Sequence, residues 1–225
     1  MARVLVIGDT HCPAMRDDYV DFLRAQRKAW KTNVTVHIGD LVDWNMLSFH
    51  ERDPASDSAG LEYKKALAQV KTLTKAFPKA VCMTGNHDCL PQRQAVANQI
   101  PSMLIKAPGK IWETPGWNWR PRYSTYDIDG VKYCHGDRGK GGIMAGLKNA
   151  KENFHSWVQG HTHSQAGVWW FANESACVFG MNTGTGVDQK KGMFYGQKYN
   201  ARSIVGCGVV LEGGKEGAFF EPMQL

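Results

Sequence analysis

Residues 34–43 read Val34-Thr-Val-His-Ile-Gly-Asp-Leu-Val-Asp43, an apolar run that ends on a glycine and two carboxylates. Alternating β-branched residues mark a strand, and Gly39 marks where it gives way to a loop. The same grammar recurs four times. Val4-Leu-Val-Ile7 leads into Gly8-Asp-Thr-His11, and Ala80-Val-Cys-Met83 leads into Gly85-Asn-His-Asp88. Val131-Lys-Tyr-Cys134 leads into His135-Gly136, and Trp157-Val158 into Gly160-His-Thr-His163. Each strand delivers carboxylate, imidazole or amide groups to its carboxyl end, the edge where α/β sheets gather ligands.

Helical periods separate the early strands. Asp17 to Lys31 places Tyr19, Phe22, Leu23 and Trp30 on one face, with Asp17 and Asp18 at the amino end. Leu61 to Phe77 repeats the pattern through Leu67, Val70, Leu73 and Phe77, until Pro78 stops it. Two βαβ units follow, with parallel strands and right-handed crossovers. Past Asp88 the period weakens, and Pro101 to Pro121, rich in Pro, Gly and Trp, reads as loop. Tyr123 to Ile128 and Val131 to Cys134, joined by Asp129-Gly130, read as a hairpin. A helix is predicted from Ile143 to about His155, with Ile143, Leu147, Ala150 and Phe154 on one face. Val168 to Ala172, Ala176 to Met181, Ile204 to Leu211 and Gly217 to Glu221 read as antiparallel strands.

A chain of 225 residues, 43% hydrophobic and 21% charged, suits one α/β domain spanning 1–225. Its apolar stretches fall far short of the roughly 20 residues of a membrane span, and Met1-Ala-Arg3 runs straight into a strand rather than a signal peptide. A cytoplasmic protein without membrane contact is expected. Cys12, Cys82, Cys89, Cys134, Cys177 and Cys207 form no CxxC pair, so buried free thiols are expected. Cys12 and Cys89, which follow ligand motifs, read as small fillers beside the site. A formal charge of +6 favours an anionic partner, nucleic acid and nucleotide alike. Arg138 and Lys140, in a glycine-containing loop after His135, are candidate substrate contacts.

Carboxylate oxygens suit hard divalent ions, whereas imidazole suits Mn, Fe, Ni and Zn. The mixed set Asp9, His11, Asp40, Asn86, His135, His161 and His163 therefore points to two divalent transition-metal ions. Manganese is the first choice, with Fe, Zn or Ni as alternatives. Two ions about 3.5–4 Å apart need a bridging ligand, and Asp40 is the candidate. Asp9, His11 and one histidine of Gly160-His-Thr-His163 would serve the first ion. Asn86, His135 and the other histidine would serve the second. Singly, each motif reads as a turn or a hydrogen-bonded histidine. Five in one order, each at a strand exit, read as a site. His37, His50 and His155 lie outside the motifs and keep the structural reading.

The ordered set Asp-Xaa-His, Gly-Asp-Xaa-Xaa-Asp, Gly-Asn-His-Asp, His-Gly and Gly-His-Thr-His, over residues 8–163, resembles the calcineurin-like metallophosphoesterase superfamily. The resemblance implies a four-layer α/β/β/α sandwich of two mixed sheets flanked by helices. It also implies that His163 joins Asp9, His11 and Asp40 on one ion, and that His161 joins Asp40, Asn86 and His135 on the other. A hydroxide bridging the ions would attack phosphorus without a covalent nucleophile. His87, beside Asn86, would protonate the leaving oxygen, and the resemblance makes Asp43 the group that orients it. Asp88 and Thr162 are candidates for supporting roles or simple turns.

Two departures narrow the substrate. Trp44 stands where family phosphoprotein phosphatases carry an arginine that grips phosphate, which disfavours a protein phosphatase and sets Trp44 at the substrate. Cys12-Pro13 stands where many relatives have glycine after the first histidine. The expected activity is hydrolysis of a phosphodiester, in a nucleotide or nucleic acid. A phosphomonoesterase, or a non-catalytic metal-binding scaffold, is the alternative. Trp44, Trp112, Trp117 and Trp119 either pack their loops or stack on bases, and the usual burial of tryptophan favours packing.

Overall fold

The apolar runs of the N-terminal half assemble as a parallel sheet. In the computed structural model, which describes residues 1–191 and 201–224, β1 (Arg3–Ile7), β2 (Val34–His37) and β3 (Ala80–Met83) lie in parallel. Their crossovers are α1 (Tyr19–Trp30) and α2 (Ala59–Ala76). A fourth parallel strand, β4 (Trp117–Arg120), pairs with β3. It corrects the expectation of loop across 101–121: Trp117 and Trp119 alternate with polar neighbours, a period of two masked by the surrounding Pro and Gly. Two short helices, α3 (Leu90–Ala97) and α4 (Pro108–Ile111), fill the stretch before it.

The second sheet contains β5 (Tyr126–Ile128), β6 (Val131–Cys134), β7 (Ser156–Gln159), β8 (Ala166–Ala172) and β9 (Cys177–Thr183), in the order β5-β6-β7-β9-β8. β6, β7 and β9 run parallel, with antiparallel strands at both edges. The β5–β6 hairpin closes on Asp129 at φ 52° and Gly130 at φ 79°, as the Asp-Gly pair predicts. The chain then returns to the first sheet through β10 (Gly206–Leu211) and β11 (Gly217–Pro222), both antiparallel, giving the order β11-β10-β1-β2-β3-β4.

Alternation along β1 sorts the layers. Leu5 and Ile7 face Tyr19, Leu23, Val70 and Leu73 of the helices. Val4 and Val6, pointing the other way, join Val36, Ile38 and Met83 against Tyr133, Val158, Phe179 and Met181 of the second sheet. Each such fully buried side chain contributes about 1.5–3 kcal/mol relative to exposure. On the outer face of the second sheet, α5 (Ala145–Asn153) sets Ala150 against Cys134, Trp157 and Val178. The result is the α/β/β/α sandwich.

The face of α5 differs from the expected one. Ile143 is 74% and Phe154 61% exposed, because both lie outside the helix; Phe154, at φ 50°, is its left-handed C-cap. Ala145, Gly146, Asn149 and Ala150 are the buried residues instead. Small side chains let the helix approach β9 closely: a Cβ on Gly146 would come within 2.8 Å of the Met181 carbonyl oxygen. All six cysteines are free, and Cys177 is exposed rather than buried. Among the described residues no helix is long and apolar enough to cross a membrane.

Candidate metal centre

Loops leaving the carboxyl ends of β1, β2, β3, β6 and β7 converge where the two sheets meet. Asp9, His11, Asp40 and His163 offer ligand atoms that all lie within 4.8 Å of one another, as do Asp40, His135 and His161. In the first group, His163 Nε2 is 3.2 Å from Asp9 Oδ2 and 3.1 Å from His11 Nε2, which is 3.5 Å from Asp40 Oδ2. In the second, His135 Nε2 is 3.2 Å from Asp40 Oδ2 and 3.0 Å from Asn86 Oδ1. The exposed His161 ring stands 5.1 Å from that of His135. Asp40 belongs to both groups, the position of a bridging carboxylate.

Three observations match this cage to divalent ions. Neighbouring ligands on an ion with bonds of about 2.1 Å sit about 3 Å apart, close to the spacings found here. Asp9 Oδ1 is buried without a hydrogen-bond partner, an acceptor that a cation would satisfy. The mixture of carboxylate, amide and imidazole suits transition metals.

The backbone is bent to make the cage. His11, Asp40 and His161 have φ of 43°, 48° and 64°, left-handed conformations that cost about 1–3 kcal/mol each. Hydrogen bonds hold them there. Thr10 and His11 N–H donate to the Asp40 carbonyl at 3.1 and 2.9 Å, and His161 N–H donates to Asp9 Oδ2 at 2.9 Å. His87 N–H donates to Asp40 Oδ1 at 2.8 Å. A Cβ on Gly85 would overlap the Asp40 carboxylate, and one on Gly160 would overlap that of Asp9. Asp88 accepts from Leu41 N–H at 3.0 Å and Gly85 N–H at 2.8 Å, tying the Asp40 loop to the Asn86 loop. Burial, with the charge of Asp40, raises its carboxyl to about 7. Thr162 spans its own turn, its hydroxyl donating to the Gly160 carbonyl at 3.3 Å.

Asp43 grips two histidines. His11 Nδ1 lies 2.9 Å from its Oδ1. His87 Nδ1 bonds the Asp43 carbonyl at 2.6 Å and lies 3.2 Å from Oδ1. The contact to His11, which orients a candidate ligand ring, adds to the role that the sequence suggests. Burial opposes ionisation of Asp43, yet the bonds from His11 and His87 hold its carboxyl well below the usual range. Burial also opposes a charged His87, but the Asp40 and Asp43 carboxylates carry it up to about 9. His37 is structural, as read, with its ring nitrogens 3.2 Å from Thr10 Oγ1 and from Gly39 N.

The substrate contacts fare differently. Trp44 is only 8% exposed and packs on Tyr63 and Trp112, with ring centroids 6.2 and 4.9 Å away. It is a core residue, which corrects its placement at the substrate. Trp112 and Trp117 are buried too, and Trp119 packs against the same core; the tryptophans pack loops and strands rather than stacking on bases. Arg138 and Lys140 are exposed. Arg138 shares a cavity wall with His135, whereas Lys140 lies 3.7 Å from Glu152. Two residues escaped the sequence reading. Arg122 donates Nε–H to Asp137 at 2.6 Å and Nη1–H to Cys89 Sγ at 3.3 Å, just beyond the His135 and Asn86 ligand positions. Buried Glu62 accepts from Asn45 and Met46 N–H at 2.6 and 3.0 Å, fixing the segment after Asp43. Neither lies in a recognisable motif.

A family profile described as calcineurin-like phosphoesterase matches residues 2–188. No curated protein matches the chain. Among solved structures, Vacuolar Protein Sorting 29 from Cryptosporidium parvum is 17% identical with a TM-score of 0.46, covering 93% of this chain and 85% of that one. YfcE, a phosphoesterase from E. coli, is 12% identical with a TM-score of 0.44, over 93% and 88% of the two chains. The Pseudomonas putida nuclease MPE is 14% identical with a TM-score of 0.36, over 98% and 87%.

Proposed function

The chain belongs to the calcineurin-like phosphoesterase family, and from that premise we propose a dinuclear metal-dependent hydrolase of phosphodiesters, nucleotide or nucleic acid in kind. One observation carries the reading: Asp40 is shared by two of three candidate ligand groups, and in the third, with His11, the His87 ring is anchored to Asp43. A scaffold that used metals only for structure would have no use for that anchored imidazole.

Asp9, His11, Asp40 and His163 would hold one ion, and Asp40, Asn86, His135 and His161 the other. The chemistry supplied by two divalent ions held there, Mn²⁺ first with Fe, Zn or Ni as alternatives, would be acidification of a water and neutralisation of phosphate charge. The remaining work falls to the chain. Asp43 fixes the His11 ligand ring and the His87 ring through their Nδ1 atoms. His87 then presents its proton at Nε2 to the leaving oxygen. Asp88 keeps the Asp40 and Asn86 loops in register.

The choice of diester over monoester rests on charge. A dianionic monoester gains more from a cation beside the ions than a monoanionic diester does. Position 44 presents a buried indole in place of such a cation, and exposed Arg138, on a cavity wall with His135, offers only partial compensation. A cytoplasmic setting belongs to the same proposal, supported by six free cysteines.

The test compares an aryl phosphodiester with its matched monoester, using Mn²⁺-loaded protein at one pH. A higher kcat/KM is expected for the diester. Equal or reversed preference makes the protein a phosphomonoesterase, and no turnover of either ester at full metal loading makes it a scaffold. Trp44→Arg is unsuited to this test, because it removes a core indole along with the change of charge.

A further inference from the structure

His161 sits at the centre of a three-residue turn, closed by Thr162 N–H donating to the Gly160 carbonyl at 2.7 Å. Its φ is 64°, which makes the turn the rare, strained kind. One short loop thus delivers both candidate ligand histidines, His161 and His163, on a backbone that does not hold itself. Strain of this order persists only where the surroundings over-determine it. One restraint, the His161 N–H on Asp9 Oδ2, comes from the first sheet. Another comes from the second.

Asn182 supplies it from β9, where it is fully buried and pairs in register with Gln159, the last residue of β7. Its side-chain amide fits one way round. Gly146 N–H, in the first turn of α5, must donate, so Oδ1 faces it at 3.0 Å. Nδ2 is thereby turned to Thr162 Oγ1, 3.0 Å away. The Thr162 hydroxyl receives that bond and donates its own proton to the Gly160 carbonyl at 3.3 Å. Three bonds therefore run in one direction from α5 into the turn and close it a second time. A Cβ on Gly146 would come within 2.8 Å of Asn182 Oδ1, so the approach needs the glycine.

We propose that Asn182 is a positioning residue for the metal centre: through Thr162 it clamps the strained turn that carries His161 and His163. The proposal rests on the dinuclear reading, in which His163 serves one ion and His161 the other, so that a single clamp governs both. Partners of this kind, one step behind the ligands, are worth about 10–100-fold in metal affinity. Asn182 lies outside the five sequence motifs, and only the register of β9 beside β7 brings it to the turn.

Calorimetric titration of the metal-free full chain with Mn²⁺ tests it, at a temperature well below the Tm of every variant. Asn182→Ala and Thr162→Val should each weaken binding by about tenfold or more. Thr162→Ser, which keeps the hydroxyl, should bind as the unmodified protein does. The double variant should lose no more than the weaker-binding single one, because all three lack the same bond. Asn182→Ser, too short to reach both partners, takes the place of Asn182→Ala should the latter not fold. A role confined to the fold would lower Tm and leave the affinity as it was. Two ions bound by the unmodified protein, with unaltered affinity in the variants at either position, overturns the proposal and leaves the dinuclear reading standing. Losses that add in the double variant also overturn it, since the two residues would then act apart. An unmodified protein that binds no Mn²⁺ overturns the dinuclear reading, and this proposal with it.

Discussion

Gly160 and Asp9 show how tightly the centre is built at the scale of single residues. A methyl group on Gly160 would overlap Asp9 Oδ1, the oxygen that has no other partner. Gly160→Ala should therefore lower bound Mn²⁺ from two towards one per chain by elemental analysis. Gly60→Ala, where a Cβ meets nothing within 4 Å, should leave the stoichiometry at two. His87→Ala separates acid from ligand: metal content should persist, while turnover of esters with poor leaving groups falls by about 10²-fold or more. Loss of metal in that variant would make His87 a ligand. The clustering of the candidate ligand residues was legible in the sequence because each follows a strand and strand ends are local features. Trp44 was not, since its burial depends on Tyr63 and Trp112, which other segments bring to it. The left-handed backbones of His11, Asp40 and His161 were equally hidden; no sequence pattern there demands them.

At the scale of elements, β2 carries a buried histidine whose cost should be measurable. Burial pushes His37 down to about 4, against the opposing pull of the Asp9 and Asp40 carboxylates and with the help of His135 and His11. The folded protein keeps the ring neutral, whereas the unfolded chain takes up a proton below about 6.5. Stability from this group is thus complete above about pH 6.5 and is lost as pH falls through about 4, by roughly 3 kcal/mol. With a chelator in both samples, the urea midpoint of His37→Gln should fall less steeply across that window than that of the unmodified protein. Parallel slopes would remove His37 from the account. The other elements divide by how local their signals are. Hairpin β5–β6 follows from Asp129-Gly130 alone, and β1, β2 and β3 from short apolar runs. Strand β4 depends on a neighbour, since its Trp117 indole is fixed by donating to the Phe77 carbonyl at 2.9 Å. The face of α5 was misread because Ile143 and Phe154 lie just outside the helix.

Across the whole molecule, the four layers were expected from family resemblance and are visible as three packing zones. Composition alone would not have separated one sheet from two. Ligand binding to a folded state raises its stability, by about 2.7 kcal/mol when free ligand is a hundredfold above Kd. Saturating Mn²⁺ should therefore raise Tm by several degrees, and Asp40→Asn should remove most of that rise. An unaltered Tm would show that the cage does not close on ions. The route of the ligands adds a mechanical consequence. Asp9, His11 and Asp40 hang from the first sheet, and His163 from the loop that leaves β7 of the second. Each ion would be a rivet driven through the seam of the sandwich. Slippage between the sheets by even an ångström would shear both coordination shells at once. Chelation should speed amide exchange at the ends of β6 and β7 before it affects the middle of β1, making the chemistry a gauge of how firmly the two halves are clamped.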